Sequence, residues 1–167
     1  MKTLHLLRHA KSSWSEPGLA DPERGLNKRG RRDAPRMGAA LARDLAPLVM
    51  MVSPARRAQL TREGLCQGWP ALADLPHTTD EALYTFSVDV LYRWLQRLDD
   101  SLVEVFVIGH NPALTELVNE LTGRHALDNL PTAGYARLSL SLERWSELRP
   151  GCGELALTLL PRTLQDG

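Results

Sequence analysis

Leu4-His5-Leu6-Leu7-Arg8-His9-Ala10 is a short apolar run that ends abruptly in an Arg-His pair. Buried strands of α/β proteins end in this way, and ligands bind at their carboxyl ends. A guanidinium and an imidazole delivered side by side suit an anionic, phosphorylated substrate. Arg supplies a fixed fork of donors for phosphate oxygens, and His can attack phosphorus or carry protons. An Arg-His dipeptide at an ordinary strand end would be merely solvated, so the pair gains meaning only from the rest of the chain.

With 167 residues the chain fits one domain with a proper core, and its 43% apolar content is globular in kind. Twenty Lys+Arg balance twenty Asp+Glu. This balance argues against a nucleic-acid or membrane-surface protein while leaving room for a local basic pocket. Cys66 and Cys152 form no Cys-x-x-Cys pattern, and the first residues hold Lys2, His5 and Arg8 instead of an apolar signal core. Both features point to a reducing, cytoplasmic setting. Nothing approaches the eighteen or so uninterrupted apolar residues of a membrane span.

The same pattern of strand and polar ending recurs. Leu48-Val49-Met50-Met51-Val52 runs into Ser53-Pro54, and Val103 to Ile108 runs into Gly109-His110-Asn111-Pro112. Between these runs lie apolar stripes at helical spacing. Ala34, Met37, Leu41 and Leu45 mark a helix from Asn27 towards Pro47, and a second follows from Ala55 to Gly68. Val88, Leu91, Leu95 and Leu98 mark a third helix, and Leu114, Leu117, Val118 and Leu121 a fourth, closed by Gly123. Residues 15 to 25 and 69 to 82 read as loops, the latter with a short strand near His77 to Thr79. Tyr135 to Leu142 alternates like a half-exposed strand, and Leu155 to Leu160 is a last strand. Strand and helix alternate almost throughout. The expected fold is therefore α/β: a single three-layer domain with a mostly parallel central sheet and helices on both faces.

In such a sheet the ends near His9, Ser53 and His110 gather at one edge. Arg8, His9, Arg57 and His110 then converge. Two guanidiniums can hold the equatorial oxygens of a phosphoryl group, one imidazole can attack, and the other can stabilise the charge that develops. Arg57 lies near a helix N-terminus, which adds free N–H donors. Each piece has a plainer reading. His110 could cap the next helix, and Arg56 and Arg57 could form a solvated face. Taken together, the plain readings need three strand ends to gather phosphate-binding chemistry by accident.

Leu7-Arg8-His9-Ala10, Ser53-Pro54-Ala55-Arg56-Arg57-Ala58 and Ile108-Gly109-His110-Asn111-Pro112 resemble the three signature segments of the histidine phosphatase, or phosphoglycerate-mutase-like, superfamily. Arg24-Gly25-Leu26-Asn27-Lys28-Arg29-Gly30 resembles its segment before the first long helix. The short length, Lys11-Ser12-Ser13-Trp14 and Leu130-Pro131-Thr132-Ala133-Gly134 resemble the SixA-type phosphohistidine phosphatase branch. The resemblance implies a phosphoglycerate-mutase-like fold over residues 1–167 without a large cap insertion. It further implies His9 as a transiently phosphorylated nucleophile, and Arg8, Arg57 and His110 as phosphoryl ligands. No metal or other cofactor is implied. Two departures stand out. Ala10 replaces a usual Gly, which calls for an ordinary turn after His9, and Leu60 replaces an expected Gln, a change of packing rather than of chemistry.

A proton donor is harder to assign. Glu81, in Asp80-Glu81-Ala82-Leu83-Tyr84, matches the family's acidic region best, and Asp21 is the second candidate. Asp21 could equally pair with Arg24 or with solvent. Arg24 is a candidate pocket residue, while the rest of the basic stretch to Arg36 reads as a solvated helix face. His5, His77 and His125, and the four Trp residues at 14, 69, 94 and 145, read as packing or loop residues. No spacing suggests a metal site. The expected activity is a metal-independent phosphatase acting on phosphohistidine in a protein. The alternatives are a phosphatase of a small phosphomonoester, or a phospho-ligand-binding protein with little turnover.

Overall fold

The computed structural model describes residues 1–164. Its elements are β1 (Lys2–Arg8), α1 (Lys28–Ala42), β2 (Met50–Val52), α2 (Arg56–Gly68), α3 (Pro70–Ala73), β3 (Thr78–Thr79), α4 (Val88–Gln96), β4 (Glu104–Gly109), α5 (Ala113–Thr122), β5 (Tyr135–Leu140) and β6 (Gly153–Leu159). The strands form one sheet in the order β3-β2-β4-β1-β5-β6. The β3–β2, β2–β4 and β4–β1 pairs are parallel, and β5 runs antiparallel to both β1 and β6. The sheet is thus mostly parallel, as expected, with one reversed strand.

Alternation along the central strands explains the layering. Leu4 and Leu6 of β1 and Val105 and Val107 of β4 join a core with Leu91 and Leu95 of α4 and Leu114, Leu117, Val118 and Leu121 of α5. Leu7, Phe106 and Ile108 point the other way and pack with Met37 and Leu41 of α1 and Leu65 of α2. A period of two that is apolar on both faces requires cover on both faces, which the helix pairs supply. His5 belongs to the second face. It stacks on Phe106 and Tyr135 and shares hydrogen bonds of 2.5 Å with the Tyr135 hydroxyl and the Glu104 carboxylate. It is a packed histidine, as its strand position suggested.

Several boundaries differ from the sequence pattern. Helix α1 starts where Asn27 caps it, its side-chain oxygen accepting from Gly30 N–H at 2.9 Å, but it ends at Ala42 instead of running to Pro47. β5 is more buried than its alternation suggested. It lies between β1 and β6, and its polar Arg137 donates to the Tyr135 hydroxyl at 2.8 Å and is neutralised by the Asp44 carboxylate. The basic stretch is mostly structural: Arg29, Arg32 and Arg36 lie 3.5, 3.6 and 3.5 Å from the buried Asp33 carboxylate. No helix among the described residues is long and apolar enough to cross a membrane.

Candidate active site

Register fixes the site. Arg8 of β1 pairs with Gly109 of β4, and Val52 of β2 pairs with Ile108, so the residues that follow leave the sheet at one level. His9 N–H donates to the Gly109 carbonyl and Ser53 N–H to the Ile108 carbonyl, each at 3.1 Å. The His9 and His110 rings consequently lie 5.2 Å apart, centroid to centroid. Arg8, His9 and His110 thus stand together at this edge, as their strand-end positions predicted.

The protonation of His9 follows from its partners. Its Nδ1 lies 2.7 Å from the Ala10 carbonyl oxygen. A carbonyl only accepts, so Nδ1 carries the proton and Nε2 keeps its lone pair. Burial, together with the Arg57, Arg8 and Arg24 charges, lowers the His9 pKa to about 4. His110 is held at about 3 by burial and by His9 and Arg57. Both rings are therefore neutral at pH 7, and His9 presents a ready nucleophilic nitrogen. His110 Nε2 shares a 2.7 Å hydrogen bond with Ser53 Oγ, which also accepts the Ala55 N–H.

The guanidiniums are anchored from behind. Arg57, 3% exposed, donates from Nη1 to the Asp21 carbonyl at 2.8 Å and from Nη2 to the Asp21 carboxylate at 3.0 Å. Arg24 donates to the same carboxylate at 2.8 Å, and Tyr84 donates its hydroxyl to it. Arg8 Nη1 donates to the Leu130 carbonyl at 3.1 Å. Among the described residues, Arg8 Nε, Arg24 Nη1 and His110 Nδ1 are buried without a hydrogen-bond partner. Buried polar atoms rarely go unpaired, and an incoming oxyanion would satisfy the two guanidinium donors.

Behind this first layer, Thr61 Oγ1 donates to the Arg57 carbonyl at 2.7 Å and accepts Ala10 N–H at 2.9 Å. One hydroxyl thereby ties the loop after His9 to the helix that carries Arg57. Ala133 N–H lies 3.1 Å from both the Arg8 and the His9 carbonyl oxygens, with Ala133 itself at φ 58°. Ala10 keeps a negative φ, as expected of the turn after His9. Leu60 is half-buried and packs beside Ala10, Leu26, Ala34 and Ala133, a packing role.

The two carboxylates fare differently. Asp21 sits in the cluster. Burial would raise its pKa, but hydrogen bonds from Tyr84, Arg24 and Arg57 outweigh this and hold it well below the usual carboxylate range. Glu81 lies in an exposed turn, and its side chain makes no hydrogen bond or ion pair among the described residues. The structure therefore joins Asp21, and not Glu81, to the guanidiniums. Arg56 is exposed, which separates it from its neighbour Arg57.

Several residues around the site carry little signal in the sequence. Ser53 was visible only as part of a motif, and Thr61 gives no signal inside an ordinary helical stretch. Tyr84 and Phe86 place their rings 5.4 and 5.5 Å from the His110 ring. Trp14 was expected to be a packing residue. Instead it is 71% exposed, with the Arg24 guanidinium 3.5 Å over its ring.

A pH dependence of stability follows from the buried imidazoles. Their pKa values fall from 6.5 on folding, so the native state refuses protons that the unfolded chain accepts. The stabilisation is complete above pH 6.5 and is lost as pH falls towards the native values near 4 and 3. Between pH 7 and 4.5 the loss is expected to be on the order of 2 kcal/mol per imidazole. Urea unfolding should show it, and His9→Gln/His110→Gln should show a distinctly shallower decline. Equal slopes for both proteins would contradict it.

Comparison with known proteins finds likenesses that span most of the chain. The profile of the histidine phosphatase superfamily (branch 1) matches residues 4–92. An uncharacterized protein of Mycobacterium tuberculosis strain H37Rv is 30% identical over 168 residues, covering 93% of this chain and 100% of that protein. Among solved structures, one from Agrobacterium tumefaciens, named as a candidate phosphohistidine phosphatase SixA, superposes with TM-score 0.78 at 24% identity, covering 96% of this chain and 98% of that one. The protein histidine phosphatase SixA complexed with tungstate gives TM-score 0.77 at 23% identity, covering 98% and 99%.

Proposed function

The chain belongs to the histidine phosphatase superfamily and is a phosphatase; from that premise we propose that it removes the phosphoryl group from phosphohistidine on a protein, with His9 as the nucleophile. The observation that carries this reading is the state of Asp21. Among the described residues it is the carboxylate hydrogen-bonded to the site's guanidiniums, and it is held ionised. A phosphate ester expels an alkoxide that needs a proton in the transition state, and an acid suited to that task has a raised pKa. Phosphohistidine makes no such demand, because imidazole leaves as a neutral ring whose conjugate acid has a pKa of about 6.5.

The steps balance without an added acid. The His9 Nε2 lone pair forms a bond to phosphorus as the P–N bond of the substrate imidazolium breaks, and that electron pair stays on the departing nitrogen. The His9 ring now carries the positive charge, with Nδ1–H still bonded to the Ala10 carbonyl. Water then attacks phosphorus, the His9–phosphorus bond breaks, and both water hydrogens end on inorganic phosphate. Arg8 and Arg57 hold the phosphoryl oxygens throughout, with Arg24 and His110 beside them. Asp21 keeps Arg57 aimed. A site without a capping insertion leaves room for a folded protein carrying the phosphohistidine.

Side-by-side turnover tests this. The kcat/KM on a phosphohistidine protein is expected to exceed that on phosphorylated metabolites by a factor of ~10² or more, the usual contribution of a positioned acid. Faster turnover of an ester, collapsing in Asp21→Asn or Glu81→Gln while phosphohistidine turnover survives, would assign the enzyme to small phosphomonoesters. Phosphate binding with negligible turnover of both classes would point to a binding protein.

A further inference from the structure

The rim of the site carries aromatic surface that phosphoryl transfer alone does not use. Trp14 is 71% exposed and Phe86 45% exposed. Residues of this kind normally bury most of their area, so two that stay this exposed ask for a partner. Both are tied to the phosphoryl pocket by direct contacts. Trp14 covers Arg24, whose guanidinium occupies one face of the indole at 3.5 Å and donates to Asp21 at 2.8 Å. Phase by phase around the pocket, Asp21 accepts from Tyr84, Tyr84 meets Phe86 at 5.7 Å, and Phe86 meets His110 edge-on at 5.5 Å. His110 lies 5.2 Å from His9. The chain of contacts from Trp14 to Phe86 therefore runs round the phosphoryl site and leaves an aromatic surface at each end.

Resting on the function proposed above, we infer that Trp14 and Phe86 wall a slot for the leaving group and select substrates whose phosphoryl group is carried by a flat ring, the imidazole of phosphohistidine. The Arg24 contact uses one face of the indole, and the exposure leaves the other open. Planar rings stack on such a face whatever their substituents, and an imidazolium adds a cation–π attraction. The slot complements the chemistry of the pocket: guanidiniums grip the phosphoryl end, which is common to all substrates, while the aromatics read the end that departs.

Two substrates with the same P–N bond separate this role from a structural one. Phosphohistidine carries the ring, and phosphoramidate does not. Trp14→Ala is expected to lower kcat/KM on phosphohistidine about tenfold, chiefly through KM, while phosphoramidate changes no more than about twofold. Trp14→Phe should restore most of the loss, and Phe86→Ala should repeat the pattern. Equal losses on both substrates would mean that Trp14 merely shields Arg24, and the slot would be refuted. Unchanged phosphohistidine kinetics in both Ala variants would refute it too. If the unaltered enzyme hydrolyses phosphoramidate but not phosphohistidine, the proposed function itself falls, and this slot with it.

Discussion

His9→Ala is expected to reduce turnover by at least ~10³-fold, and to abolish a phosphorylated enzyme that the unaltered protein forms with labelled substrate. The magnitude follows from removing a nucleophile that acts as a unit with its surroundings, where single deletions cost almost the whole catalytic effect. The geometry makes the expectation specific to one nitrogen. Nδ1 is committed to the Ala10 carbonyl at 2.7 Å, which leaves Nε2 to attack. The trapped species should be labile in acid and stable in alkali, as a phosphoramidate is, and should map to His9. A variant that retains full activity, or a label on another residue, would remove His9 from the mechanism. The variant should still fold, because His9 is placed by its backbone: its N–H bonds to Gly109, and its carbonyl accepts from Ala133.

Arg57→Ala is expected to lower kcat by ~10² to 10³, the usual cost of deleting a preorganised donor from a site where charge develops. Arg57 is 3% exposed and doubly bonded to Asp21, so its fork is aimed before substrate arrives. Arg57→Lys should recover little, since a single ammonium cannot reproduce both bonds to Asp21 and still face the phosphoryl oxygens. The exposed neighbour gives the control: Arg56→Ala should leave kcat within about twofold. Comparable losses in the two Ala variants would show a general electrostatic effect in place of an aimed donor. An Arg57→Ala enzyme of normal kcat would exclude the role altogether.

The parts of this site that were legible in the sequence share one property: they sit at the ends of buried strands. Arg8, His9 and His110 follow apolar runs of β1 and β4, and parallel pairing carries such ends to the same edge without further information. Arg57 was legible because it opens the helix after β2. What was not legible depends on loops folding back. Asp21 reaches Arg57 across 36 positions and Tyr84 reaches Asp21 across 63, and no local pattern encodes either pairing. Glu81 matches the family's acidic region in sequence, yet its turn, capped by Asp80, leaves it in solvent. Trp14 reads as packing from sequence, and no local pattern shows that it stays outside with the Arg24 guanidinium against its ring. The reversal of β5 was likewise hidden, since alternation marks a strand but not its direction.

That reversal bears on how the scaffold can diversify. Strands β1, β2 and β4 deliver residues that follow them, whereas β5 delivers residues that precede it, Ala133 and Gly134. The segment between the left-handed Gly123 and Ala133 therefore arrives at the active edge as an incoming loop, already tied to Arg8 and Asn111 through the Leu130 carbonyl. Its outer residues Arg124, His125, Asp128 and Asn129 are exposed. Chain can be lengthened there without shifting any strand, because the insertion lies upstream of the point where β5 is pinned. In an evolving or engineered lineage this is the natural port for grafting new substrate contacts, because the segment ends beside Arg8 and His9 while its outer residues face solvent.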